Sequence, residues 1–273
     1  NRMYIPSYGW KMIQKSGFSF KLFTILLRDK IDAIYKSCKL PEAEQAVLSA
    51  LLLGIRTQVS PEVLNNYSVT GAMHILAVSG LHIGILYIVL SWIFVFLRGK
   101  IKGILIIAII WLYSFITGFS PSVERAAIMF SMITLAKDFK LHANIYNTLA
   151  ASAMISLILN PLDMYDIGFQ LSYLAVLGIV YCNSLAIHVF EPHNKIVKYF
   201  WEIIYVSISA QLFTLTLTLY YFGQFPTYFL FTNLVAIPVS FIVMILGIAI
   251  IPLYYIYSKL FLLTAKALGI SLW

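Results

Sequence analysis

Two histidines and a serine lie in the apolar stretch that begins near residue 72, and their spacing limits the chemistry they can perform. His74 and His82 are eight residues apart, a rise of about 12 Å in an α-helix, whereas one metal ion needs both ring nitrogens at about 2 Å. We therefore predict no metal site and no cofactor. Ser79 and His82 share a helix face, so a serine hydrolase built on this pair is one alternative. Helix packing through Gly80 and Gly84, with polar side chains bonded across helices, is the other.

Other polar side chains recur within apolar stretches, where each costs on the order of a few kcal/mol unless it finds a partner or water. Arg125 follows Ser120 and Pro121, which favour a helix start, and the helix dipole disfavours a cation at that end. It therefore either reaches water, by extending outward or by facing a wet part of the protein, or pairs with a carboxylate on another helix. A further set shares one helix face, which meets other helices or lines a wet path: Ser207, Gln211, Thr214 and Thr218.

The composition identifies a membrane protein. Of the 273 residues, 11% are charged and 61% are hydrophobic, whereas soluble domains carry about 25% charged residues. A soluble fold cannot cover its surface with so little polarity. These figures exclude a disordered chain, a disulfide scaffold and an ordinary soluble enzyme. No G-x-x-x-x-G-K-[ST] loop occurs, which excludes nucleotide hydrolysis by a P-loop.

The elements that position these groups are predicted to be helices throughout. We predict an all-α, polytopic bundle of about seven spans, at 72–97, 103–120, 121–136, 145–160, 167–190, 199–222 and 228–256, followed by a partial helix at 258–273. Apolar residues between Phe20 and Tyr35 recur at helical spacing, as in an amphipathic helix at a membrane interface. Because the chain begins at Asn1 without a signal-peptide pattern, we expect an interior fragment: 1–17 as the tail of an upstream region, 18–70 as amphipathic helices outside the membrane, and 71–273 as the transmembrane domain.

The charges of the connecting loops predict the orientation. Four connections carry lysine or arginine, whereas 160–166 carries only Asp163 and Asp166, and 223–227 carries no charge. By the positive-inside rule the basic loops are cytoplasmic. The segment 1–70 and the start of the first span are then extracytoplasmic, and the last full span ends in the cytoplasm.

Four blocks in the sequence resemble the ComEC competence proteins. The first joins Leu53-Gly54-Ile55-Arg56 to the run His74-Ile-Leu-Ala-Val-Ser-Gly-Leu-His82. The others are Thr117-Gly118-Phe119-Ser120-Pro121-Ser122-Val123-Glu124-Arg125-Ala126, then Asn160-Pro161-Leu162 with Asp166-Ile167-Gly168-Phe169-Gln170-Leu171-Ser172, and finally Phe222-Gly223 with Asn233 and Pro238. Their order and spacing hold over roughly residues 20–256.

This resemblance implies a channel domain through which one strand of transforming DNA crosses the bacterial cytoplasmic membrane. It also implies an upstream OB-like domain and a downstream metallo-β-lactamase-like domain, both outside this fragment, so we expect no catalytic residue here. The expected partners are single-stranded DNA, the lipid bilayer, a separate DNA receptor and a cytoplasmic ATPase motor. Because the chain has no motor motif, the motive force comes either from such an ATPase or from the proton gradient. A small-molecule permease is a further alternative.

The candidate residues follow from the blocks and from the polar groups. The segment 1–70 has a net charge of +4, from nine basic and five acidic residues, and suits a funnel for a polyanion. The candidates for the DNA path or its gate are Arg56, His74, Ser79, His82, Arg125, Asp166, Gln170, Ser172, Ser207, Gln211, Thr214 and Asn233. Those for helix packing are Gly80, Gly84, Gly118, Gly168 and Pro238.

Overall fold

A computed structural model describes residues 20–70, 73–76, 78–97, 99–139, 144–189, 193–223, 225, 227–256 and 258–272. Within these ranges the regular structure is helical, with no strand. The predicted all-α class is therefore confirmed. The helices are α1 (Phe20–Lys36), α2 (Glu42–Leu53), α3 (Pro61–Val69), α4 (Met73–Leu76), α5 (Gly80–Ile93), α6 (Lys100–Ile116), α7 (Pro121–Asp138), α8 (Ile145–Leu159), α9 (Ile167–Val189), α10 (Lys195–Phe222), α11 (Phe229–Ile256) and α12 (Ser258–Leu272), with a 3₁₀ turn at Pro161–Tyr165.

Local sequence signals account for several of these boundaries. Asn144 and Asn194 cap α8 and α10 by accepting hydrogen bonds from the backbone N–H two residues later, which satisfies one free donor of each first turn. Pro121 occupies the first position of α7, where its fixed φ suits a helix start. Gly54 and Gly223 end α2 and α10 in the left-handed conformation, as glycine does at many helix ends.

Among the described residues, two helices, α10 and α11, are long and apolar enough to cross a membrane, with 28 residues each. They match the predicted spans 199–222 and 228–256, although α10 begins four residues earlier than predicted. The apolar helices α5 and α8 are shorter, so the predicted number of about seven spans stays a prediction.

The predicted first span, 72–97, is wrong as one continuous helix. The structure ends α4 at Leu76 and begins α5 at Gly80, with an extended backbone at Ser79 (φ −135°, ψ 178°). Both residues at the break disfavour a continuous helix. Ser79 is a good cap for a new helix, and Gly80 would cost backbone entropy in the interior of a longer one. The break leaves α5 with 14 residues.

Helix α2 lies at the centre of the core. Its residues from Ala46 to Leu53 are all buried, and it packs against α1, α4, α11 and α12. One hydrophobic core runs from Ile31 on α1 to Leu268 on α12, so the segment before residue 70 and the predicted transmembrane domain share it. The division at residue 70 stays a prediction.

A buried carboxylate joins α1 to α2. Asp32 accepts hydrogen bonds from Ser49 Oγ at 2.6 Å and from Lys36 Nζ at 2.7 Å. Burial alone raises the pKa of Asp32, but the bonds from Lys36 and Ser49, together with the lysine charge, outweigh it, so the pKa lies below its ordinary value. Because buried carboxylates need such donors, this cluster fixes the register of α1 on α2.

Removal of the Asp32 charge is expected to destabilise the fold by about 2 kcal/mol, the usual loss for charge-assisted hydrogen bonds. Since the folded pKa lies below the unfolded value of 3.8, the stabilisation is complete above that value and is lost as pH falls through the folded pKa. Thermal unfolding between pH 3 and pH 7 checks this. The steep acid loss of the wild type should flatten in Asp32→Asn and persist in Asp29→Asn, whose carboxylate is exposed. Equal slopes in all three proteins would contradict the assignment.

Candidate functional site

Three interruptions of the helices meet at one place, which we name the helix-break junction: Gly54, residues 78–80 and residues 117–122. Ser122 Oγ donates a hydrogen bond to the carbonyl of Val78 at 3.0 Å. A Cβ atom added at Gly54 would lie 2.9 Å from the Thr117 carbonyl oxygen. The junction thus brings the two parts of the first sequence block together with the second block. Gly54 in the first block and Thr117 in the second are some 60 residues apart in the sequence.

Ser79 and His82 form a helix cap at this junction. The backbone N–H of Ser79 donates to His82 Nδ1 at 3.2 Å, and Ser79 Oγ lies 3.3 Å from the same nitrogen. His82 is only 1% exposed. A ring nitrogen that accepts from a backbone N–H carries no proton, so the geometry assigns a neutral imidazole protonated at Nε2. The histidine occupies the position at which glutamate or glutamine completes a capping box.

This geometry predicts different effects for two replacements of His82. Glutamine can accept the Ser79 N–H as a capping-box residue does, so His82→Gln is expected to keep stability within about 0.5 kcal/mol of wild type, whereas His82→Leu should lose about 1 kcal/mol with the cap. Thermal unfolding of the detergent-solubilised protein measures both changes. Equal losses of stability in His82→Gln and His82→Leu would contradict the capping role.

The two glycines of α5 face α7. A Cβ atom at Gly80 would contact Ala126 at 3.5 Å, and one at Gly84 would contact the Phe130 ring at 3.4 Å. Small residues allow this close approach of helix backbones. Of the predicted packing glycines, these two lie in a contact between helices.

A second cluster surrounds Arg125, which is 5% exposed. Its Nη2 donates to the Gly168 carbonyl at 2.8 Å, and its Nη1 lies 3.6 Å from Asp166 Oδ2. The same carboxylate oxygen accepts from the Phe169 backbone N–H at 2.9 Å and so caps α9. Of the two interpretations of Arg125, the buried pair is the one observed. Nε and Nη1 of Arg125 have no hydrogen-bond partner among the described residues.

Gln170 and Ser172 lie just beyond this cluster on α9. Gln170 donates to the Met164 carbonyl at 2.9 Å, and Ser172 is half-buried. Gln170 also borders an open groove of about 420 Å³ between α8, α9 and α10, whose other lining residues are apolar: Leu149, Tyr173, Leu174, Leu177 and Leu217. The groove has little polarity with which to hold a nucleic acid.

A third cluster joins α10 and α11. Asn233 Nδ2 donates to Ser207 Oγ at 3.1 Å. Thr214 instead donates to the carbonyl of Ala210 in its own helix at 2.9 Å, and Pro238 lies inside α11. The residues on the predicted polar face of α10 therefore have different partners. Ser207 accepts a hydrogen bond from another helix, whereas the Thr214 hydroxyl donates within α10.

Three further candidates take no part in these contacts or have side chains that the structure does not describe. Arg56 is exposed on the loop between α2 and α3. His74 belongs to α4, but its side chain is outside the described part of the structure. Gly118 has φ +85° at the end of α6, a conformation that favours glycine.

Two residues that the sequence did not single out have clear structural roles. Ser122 bridges α7 to the helix break, and Asp32 anchors α1 to α2. The Asp32–Lys36 spacing of four residues was an available signal, whereas the Ser122 contact depends on tertiary packing and has no signal in the sequence.

Comparison with known proteins gives two matches. The family described as "Competence protein" matches residues 51–273. The chain is also similar to ComE operon protein 3 of Bacillus subtilis (strain 168), with 30% identity over 223 residues. This alignment covers 81% of the chain and 28% of that protein, so the chain spans less than a third of the relative's length. No solved structure matches.

Proposed function

Because the chain belongs to the competence protein family, we propose that it forms a membrane conduit through which a single DNA strand enters the cell. The observation that carries this proposal is the family match over residues 51–273. The fold is consistent with it, since the apolar helices α10 and α11 can cross a membrane and polar side chains are gathered inside the helical assembly.

The proposed path uses weak contacts. The exposed Arg56, on the loop beside the helix-break junction, belongs to the basic segment that attracts the strand. Inside, the candidates are Ser79, His82, Ser207, Gln211 and Asn233, all uncharged in the geometry observed. They are joined by Thr214 on α10, Ser172 on α9 and the buried Arg125 on α7. A conduit must release what it binds, so a lining with few cations suits passage.

The setting of the conduit belongs to the same proposal. We place it in the cytoplasmic membrane of a bacterium, with the segment before residue 70 outside and the end of α11 in the cytoplasm, as the loop charges favour. Its partners are a DNA receptor, an ATPase motor, and the OB-like and metallo-β-lactamase-like domains of the longer protein. The capping role of Ser79 and His82 gives these residues a use without hydrolysis, and no catalytic role is assigned to this segment.

Uptake of labelled DNA tests the proposal. Cells that lack the full-length protein should bind DNA at the surface normally and internalise at least about 100-fold less DNase-resistant label, and the wild-type gene should restore it. Uptake of labelled amino acids and sugars serves as the control for a permease and should not change. Normal amounts of protected DNA in the deletion strain would contradict the proposal.

A further inference from the structure

The interface between α10 and α11 contains amide groups that the protein does not fully use. Asn233 donates a hydrogen bond from its Nδ2 to Ser207. Its Oδ1 is buried without a hydrogen-bond partner among the described residues, and the same is true of Nε2 of Gln211. Gln211 lies one turn from Ser207 on the same face of α10. We name Ser207, Gln211 and Asn233 the amide seam. It contains one acceptor and one donor that have no partner among the described residues.

The register of the two helices places this seam close to one end of their contact. Ser207 lies 15 residues before the end of α10, about 22 Å along the axis, whereas Asn233 lies four residues after the start of α11, about 6 Å. Helix α10 therefore extends well past the contact on the side where α11 begins. Gln211 lies on that extension and is only half-buried as a residue.

The surroundings of the seam exclude a contact based on charge. From residue 203 to residue 258 the sequence contains no Asp, Glu, Lys, Arg or His. Strong phosphate contacts come from arginine, lysine or groups of backbone N–H donors, and the helix backbone here is bonded within its own helix. Neutral donors and acceptors instead complement the edges of nucleobases, which carry groups of both kinds.

We infer that the amide seam contacts the bases of the passing strand rather than its phosphates, an inference that rests on the proposed function. A side-chain amide turns about a broad terminal torsion and presents either its donor or its acceptor. The seam can therefore pair with any base, which suits a path that must accept every sequence. Hydrogen bonds between a neutral amide and one base can be replaced by bonds to the next base without separating opposite charges. The strand is therefore released as it advances.

Cysteine chemistry tests which part of the strand passes the seam. In the full-length protein, with its other cysteines replaced by serine, Gln211→Cys and Asn233→Cys are each exposed during uptake to single strands that carry a thiol-reactive group, either on a base or on a backbone phosphorothioate. The matched controls are Leu212→Cys and Val235→Cys, on the same helices, at residues that are 60% and 65% exposed.

The expected result is an adduct at both seam positions, at least about 5-fold more with the base-linked group than with the backbone-linked group, and none at the controls. Equal adducts with both groups would overturn the base contact while leaving the path in place. No adduct during normal uptake of the same strands would show that the seam lies off the path, and the proposed function would stand. Unchanged uptake in cells without the protein would refute the proposed function itself.

Discussion

Replacement of Gly54 by alanine is expected to lower the free energy of unfolding by about 2–4 kcal/mol, enough to unfold much of a marginally stable protein. Gly54 has φ +73°, where a side chain costs about 1–2 kcal/mol. The added Cβ would also lie 2.9 Å from the Thr117 carbonyl oxygen, a backbone atom that cannot turn away. The helix-break junction must then open, so DNA uptake is expected to fall with stability.

Gly223 provides the matched control for this prediction. It also ends a helix, with φ +61°, but no atom lies within 4 Å of a Cβ built there. Gly223→Ala should therefore cost only the backbone strain, about 1 kcal/mol. Thermal unfolding of both variants in detergent measures the two losses, and their difference is the cost of the contact with the Thr117 carbonyl oxygen. Equal losses would show that the approach of Gly54 to Thr117 does not matter.

The second large effect is expected at Arg125. Arg125→Ala removes the donor to the Gly168 carbonyl, deprives Asp166 of its partner and empties a buried volume, so we expect a loss of about 2–4 kcal/mol and at least a 10-fold loss of DNA uptake. Asp166→Asn keeps an oxygen to cap α9. Because the Asp166 side chain is 45% exposed, loss of its charge should cost only about 1 kcal/mol.

A double-mutant cycle isolates the Arg125–Asp166 interaction. If the two side chains interact, the double variant should lose less stability than the two single losses added together, by about 1 kcal/mol. Lys137→Ala on the same helix is the matched control, since that exposed cation donates to the Tyr87 hydroxyl and should change stability by less than about 0.5 kcal/mol. Strict additivity, or a comparable loss at Lys137, would contradict the pairing.

The sequence predicted those parts of the structure that depend on local patterns. Long apolar runs predicted α10 and α11, and Ser120 with Pro121 predicted the start of α7, because helix length and capping are properties of neighbouring residues. The break at Ser79 was missed because apolar residues continue on both sides of it. In that setting the choice between one helix and two depends on the contacts of His82 and Ser122.

Side-chain contacts between distant helices could not be predicted from the sequence, for a physical reason. The sequence left Arg125 with two alternatives, since a guanidinium is compatible with either water or a buried acceptor, and only packing of α7 against α9 brings it to Gly168. Likewise the polar face of α10 did not show that Ser207 meets Asn233, because the register of two antiparallel helices depends on the whole interface. The role of each candidate on a DNA path stays a prediction.

The most direct test of a DNA conduit is to stop a strand inside it. A single strand that carries photoreactive thymine analogues and a bulky streptavidin block at its trailing end is allowed to enter competent cells and is then irradiated. Our account predicts that this chain is covalently attached to the strand, with adducts within residues 51–273, including the helix-break junction and the α10–α11 interface. A stalled strand whose adducts all lie on other polypeptides, or only on parts of the longer protein beyond this chain, would contradict it.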